Sequence, residues 1–243
     1  MCTVSFITHG DAVHITSNRD EQSTRLPAYP PATYHTATGL TAFPKDADAG
    51  GTWIAMHECG RAVVLLNGGF INHRHTPPYR KSRGLILLDL IAADDPAGLF
   101  AEMDLPGIEP FTTVVWANEK LFECRWDGIG THVSELDPAL PRIWSSATLY
   151  DASVMRKRES WFGEWIRRNP QPSGYDIIRF HQSAGDGDPN NDLLMDRGGR
   201  LSTVSITAID IRRKTGSMSY HDLRSGAIHN LQLDFRKHTT QQG

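Results

Sequence analysis

The chain has 243 residues, 39% of them hydrophobic and 22% charged, with 21 glycines and 14 prolines. That balance describes a folded globular chain and excludes disorder, collagen and coiled coil. A net charge of −3 gives no field that could hold nucleic acid or an anionic membrane, so small-molecule chemistry is the class left.

The longest apolar runs, Ala62 to Leu66 and Leu85 to Leu88, fall far short of the roughly 20 residues that span a bilayer. The first residues alternate with polar ones instead of forming a signal-peptide core, which predicts a cytoplasmic protein with no membrane span. Cys2, Cys59 and Cys124 form no CxxC pair and read as free thiols. Neither an internal repeat nor a linker divides the chain, so residues 1–243 are expected to form one domain.

In chain order, residues 2–8 alternate through Val4 and Phe6, turn at Gly10-Asp11 and return over residues 12–17, which predicts an opening β-hairpin. Prolines and glycines over 27–44 predict an irregular loop. Two strands are predicted over 52–57 and 61–67. The second, Ala-Val-Val-Leu-Leu, is apolar on both faces, as in a central strand covered from both sides. Helices are predicted over 82–91 and 95–103, followed by a three-strand meander over 111–117, 121–126 and 130–136. Asp151 is placed to cap the longest helix, 153–168. That helix should bury Met155, Trp161, Phe162, Trp165 and Ile166 and show Arg156, Lys157, Arg158, Glu164 and Arg167 to water. A short helix over 175–181, a polar loop over 186–196 and strands over 203–213, 217–222 and 228–235 complete the chain. Strands, then helices, then strands is an α+β order, and two-sided apolar strands call for sheets covered by helices.

Cys2 is the sharpest chemical feature. A small second residue lets the initiator Met be removed, leaving a thiol and an α-amino group on one residue. An α-amino group titrates near pH 7.7–8.0, so it can take the thiol proton and return it to a leaving group. The second hairpin strand ends in Asn18-Arg19-Asp20-Glu21, which the hairpin brings back beside Cys2. A guanidinium there would favour the thiolate, and a carboxylate would hold the α-amino group. The sequence leaves open which of the four side chains points inward.

Met1-Cys2-Thr3-Val4, Asn18-Arg19-Asp20-Glu21, Gly50-Gly51-Thr52-Trp53 and a strand ending in Asn67 together resemble the NRDE family, also called the transport and Golgi organization 2 family. That family is similar to the N-terminal nucleophile hydrolases. The resemblance implies a four-layer αββα sandwich with Cys2 as nucleophile, Arg19 and Asp20 as its electrostatic partners and Asn67 as an oxyanion donor. Asn18 and Trp53 would border the substrate, and His73 and Arg74 open a basic loop that could meet an anionic one. The implied activity is hydrolysis of a linear amide or related acyl bond, without a cofactor. The alternative from another class is a non-catalytic protein binding haem, acyl-CoA or lipid on the same fold.

Two metal readings are weaker than the plain reading of the same residues as solvated polar loops. Asp186, Asp188, Asn190 and Asp192 alternate like a calcium loop, but Arg197 stands where a bidentate Glu belongs. His57, Cys59, His73 and His75 lack a second close-spaced pair for zinc. No metal is expected.

Overall fold

A computed structural model describes residues 3–236 of the chain; Cys2 lies outside the described residues. β1 (Thr3–His9) and β2 (Ala12–Gln22) form the expected hairpin. Gly10 takes the left-handed conformation that the tight turn requires. β2 runs on through Asn18, Arg19, Asp20 and Glu21, so the motif is strand and not turn. Period-two alternation therefore sends its side chains to opposite faces.

The other strands are β3 (Tyr29–Thr36), β4 (Gly39–Lys45), β5 (Ile54–His57), β6 (Ala62–Asn67), β7 (Phe111–Ala117), β8 (Lys120–Trp126), β9 (Thr131–Leu136), β10 (Arg142–Ser145), β11 (Leu201–Ile211), β12 (Thr215–Asp222) and β13 (Ile228–Asp234). They pair antiparallel throughout, in one sheet ordered β10-β1-β2-β11-β12-β13 and another ordered β3-β4-β5-β6-β7-β8-β9. The helices are α1 (Arg83–Ala92), α2 (Pro96–Glu102), α3 (Ala152–Arg168) and α4 (Gly174–Ser183).

Three apolar clusters define four layers. Val4, Phe6, Val13 and Ile15 of the first sheet meet Ile54, Met56, Val64 and Leu66 of the second between the sheets. Val63, Leu65 and Val115 pack under Ile86, Leu87, Leu90 and Ile91 of α1 and Phe100 of α2. Ile7 packs under Phe162 of α3 and Ile177 and Phe180 of α4. The order is α, β, β, α, as the resemblance implies. β6 is the middle strand of its sheet, and its alternate residues enter two of these clusters, which is why it is apolar on both faces. Each buried Ile or Leu of α1 contributes about 1.5–3 kcal/mol toward docking that helix.

Three expectations are corrected. Residues 27–44 are mostly strand, because β3 is an edge and an edge tolerates Pro30 and Pro31, whose missing N–H groups need no ladder partner. β10, only four residues long, was not anticipated. Arg158 does not face water: it is fully buried under α3, because carbonyls and a hydroxyl from remote segments supply acceptors that helical periodicity cannot reveal.

Candidate active site

At one end of the sandwich the strand termini open a cleft of about 460 Å³, lined among others by Arg19, Arg25, Asp46, Trp53, Asn67 and Glu109. Arg19 reaches it from β2, and its guanidinium lies 4.5 Å from the centroid of the Trp53 ring, a cation–π contact. Arg19 Nη2 donates to Asp46 Oδ2 at 2.6 Å and lies 3.3 Å from Glu21 Oε2. Arg25 Nη2 donates to Asp46 Oδ1 at 2.8 Å. Burial works to raise the Asp46 carboxyl, but the Ala49 amide and the Arg25 and Arg19 guanidiniums outweigh it and hold the group below its ordinary value. On the opposite wall Glu109 accepts from His73 Nε2 at 3.2 Å, His75 Nδ1 at 3.1 Å and Arg83 Nη2 at 3.0 Å.

Gly51 explains how α1 closes this cleft. A Cβ at Gly51 would lie 2.5 Å from the Gly84 carbonyl carbon, and one at Gly84 would lie 2.8 Å from Thr52 O. Only paired glycines let the start of α1 touch the strand entrance, where Thr52 N donates to Gly84 O at 3.3 Å. The glycines of Gly50-Gly51-Thr52-Trp53 therefore set the packing, and Trp53 forms the wall.

On the helix-facing side of β2 lies a second, buried network. Asp20 accepts from Thr203 Oγ1 at 2.5 Å and from Tyr150 Oη at 2.8 Å. The facing strand β11 shifts register between Thr203 and Ser205, so that Thr203 opposes Asp20 and Ser205 opposes Arg19. Arg158 lies 3.6 Å above the Tyr150 ring centroid and donates to Thr3 Oγ1 at 2.6 Å, Asn191 O at 3.1 Å and Asp192 O at 2.7 Å. Asn18 Nδ2 donates to the carbonyls of His181 and Leu193, at 3.2 and 2.7 Å, leaving its Oδ1 to accept from His181 Nδ1 at 2.7 Å. His181 Nε2 then accepts from Ser5 Oγ at 2.7 Å, which fixes a neutral tautomer. Burial first, and Arg158 second, push the His181 pKa down to about 3.

Arg19, Trp53 and Asn67 thus share the cleft. Asp20 and Asn18 point away from it, Asn18 into the core beneath α4. His73 is tied to Glu109 at its edge, and Arg74 is exposed. Two cations of the basic loop are paired with carboxylates from outside it, Arg80 with Asp104 and Lys81 with Asp89 of α1. His57 and Cys59 lie at the β5–β6 turn, the far end of those strands from Trp53 and Asn67. Cys59 is raised by burial, and Cys124, in the core beneath α1 and α2, is pushed up to about 12 by burial. Neither described cysteine is an activated thiol.

Thr3, first of the described residues, is paired on both sides: opposite Asn18 of β2 and Ser145 of β10. Immediately past Ser145, Ser146 Oγ donates to Asn67 O at 2.8 Å. Arg19 follows Asn18, so the start of β1, Arg19 and Asn67 converge on one end of the sandwich. Asp46, Arg25, Glu109, Tyr150, Arg158 and Thr203 were not found from sequence, since each is brought in from a remote segment.

Residues 1–115 match the family described as Transport and Golgi organisation 2. Among curated proteins nothing matches. Among solved structures, the Caenorhabditis elegans ortholog of N-acylethanolamine-hydrolyzing acid amidase is similar with a TM-score of 0.56 and 11% identity, over 86% of this chain and 92% of that one. A mutant of the conjugated bile acid hydrolase from Clostridium perfringens is similar with a TM-score of 0.60 and 9% identity, over 98% and 97%. At such identities the likeness establishes the fold, that of the N-terminal nucleophile hydrolases.

Proposed function

From a chain with this fold, whose first 115 residues match the Transport and Golgi organisation 2 family, we propose an amide or related acyl hydrolase that works through Cys2. The observation that carries the reading is the convergence of the start of β1 with Arg19 and Asn67 at a cleft. The reading requires the thiol on the face that Val4 and Phe6 present between the sheets. Of the solved structures described above, one is named as an ortholog of an acid amidase and the other as a bile acid hydrolase.

With Met1 removed, the Cys2 α-amine takes the thiol proton and the thiolate attacks the substrate carbonyl, forming a carbon–sulfur bond. The oxyanion is met by the Asn67 amide, whose side chain takes no partner among the described residues and which donates without changing charge. Arg19 stabilises the negative charge on sulfur. Asp20, held by the Thr203 and Tyr150 hydroxyls, steadies the α-ammonium. Collapse breaks the carbon–nitrogen bond, and the ammonium proton leaves with the amine. Water activated by the same amine then cleaves the thioester to the free acid.

Intact mass of protein made in cells should show a chain beginning at Cys2. Against a panel of acyl amides, Cys2→Ser should lower turnover by at least about 100-fold, and Cys2→Ala should abolish it with binding retained. Quantitative retention of Met1, or unchanged turnover in Cys2→Ala, would remove the proposal.

A further inference from the structure

A donor stabilises an oxyanion in proportion to how firmly it is held in place beforehand, and the chain that carries the Asn67 amide is permissive. Gly68 and Gly69 follow it, and Gly68 sits in the left-handed region at φ 86°, where the missing Cβ leaves the peptide free to rotate. The strands beside β6 do not hold the Asn67 carbonyl either. Gly68 N donates to Pro110 O, which makes Asn67 and Phe111 a non-hydrogen-bonded pair, so β7 supplies no donor to Asn67 O. The register of β5 with β6 stops at Val64.

The donor comes from the turn that follows β10, in the other sheet. Ser146, fully buried, donates from Oγ to Asn67 O at 2.8 Å. Its single proton is committed there, so the Thr148 hydroxyl, 2.9 Å away, donates to Ser146 Oγ. Ser146 is itself fixed from both sides. Ser145 before it pairs with Thr3 of β1. After it, Leu149 N and Tyr150 N donate back to Ser146 O, Arg197 Nη2 holds Leu149 O, and Tyr150 Oη donates to Asp20. The same turn lies against Gly68, where a Cβ would be 3.1 Å from both Ala147 Cβ and Thr148 Cγ2.

From this arrangement we infer that Ser146 is a positioning residue for the acyl transfer, holding the end of β6 so that the Asn67 amide meets the oxyanion. The inference rests on the amidase reading above and adds a residue to it. Ser146 forms and breaks no covalent bond, and its proton stays on Asn67 O throughout. Its effect is therefore confined to steps in which an oxyanion develops. Attack on an amide carbonyl is such a step. Alkylation of the Cys2 thiolate by iodoacetamide, a displacement at carbon that expels iodide, is not.

The test uses the mature full chain and a panel of acyl amides of aminomethylcoumarin, from acetyl to decanoyl. On the best of these, Ser146→Ala should lower kcat by about 10–100-fold, as expected when one oxyanion donor is displaced, with KM within about threefold of wild type. The rate at which iodoacetamide alkylates Cys2, followed by peptide mapping, should stay within about twofold, since the thiolate is untouched. In an Asn67→Ala background, Ser146→Ala should cost less than about a further twofold, because it acts through Asn67. Ser146→Cys nearly preserves the buried volume but donates weakly, so it should lose kcat in the same direction even where the alanine variant fails to fold. An undiminished kcat in the Ser146 variants, losses that multiply in the double variant, or alkylation that slows in step with kcat overturns the inference and leaves the amidase reading in place. Absence of hydrolysis by the wild type across the panel, with Cys2 alkylated no faster than an ordinary thiol, overturns the amidase reading and this inference with it.

Discussion

Arg158 shows most clearly how a side chain's role can be hidden from its sequence neighbours. Its position on an amphipathic helix assigns it to water, yet it is fully buried and, among the described residues, pairs with no carboxylate. Instead it satisfies two backbone carbonyls and the hydroxyl of Thr3 and covers the Tyr150 ring. Replacing it with Met would leave those carbonyls buried without donors, at roughly 1–3 kcal/mol for each, partly offset by no longer burying a cation. Arg158→Met should therefore lose about 2–4 kcal/mol in urea denaturation, whereas a loss under about 0.5 kcal/mol would mark it as a dispensable surface residue. Arg19, Trp53 and Asn67 were legible because they fall in or beside a compact motif. Their partners Asp46 and Glu109 were not, because single acidic residues in loops carry no local signal.

Elements with strong periodicity were legible nearly to the residue: β1, β6, the β7–β9 meander, α1, and α3 with its Asp151 cap, whereas β2 runs on to Gln22, past the expected end at residue 17. Edge strands were not. β3 carries two prolines that in a central strand would cost ladder bonds, and β10 is too short to alternate visibly. Contact between elements was equally hidden, since nothing local says that Gly51 faces Gly84. A methyl at Gly51 has no space, so Gly51→Ala should push the start of α1 outward and reshape the cleft beside Trp53. Its melting temperature should fall by several degrees, as expected for about 1–3 kcal/mol of overpacking. Trp53 fluorescence should change with it; unchanged stability and fluorescence would show that the two segments part freely.

For the whole molecule, two buried histidines contribute to the response to acid. His181, pushed to about 3, and His57, lowered to about 4 chiefly by burial and then by Arg61, are neutral when folded, whereas in the unfolded chain they titrate near 6.5. Their stabilisation is complete above about pH 6.5. It is lost as pH falls, because only the unfolded chain takes up the protons. The fully buried His181 alone contributes a slope of up to about 1.4 kcal/mol per pH unit down to about pH 3. Denaturation at pH 7.5, 6 and 5 should show this loss, and His181→Gln should flatten it by about that slope; parallel curves would place the charge change elsewhere. The same architecture also has a timetable. β1 acquires β2 at once, but its other neighbour, β10, lies some 140 residues downstream, and a lone hairpin is marginal in water. At ribosomal rates of about 5–20 residues per second, roughly 7–28 s pass before that neighbour is made. During that interval an aminopeptidase can reach the start of the chain, so the order of synthesis would let the processing that the proposed mechanism needs come before β10 closes against β1.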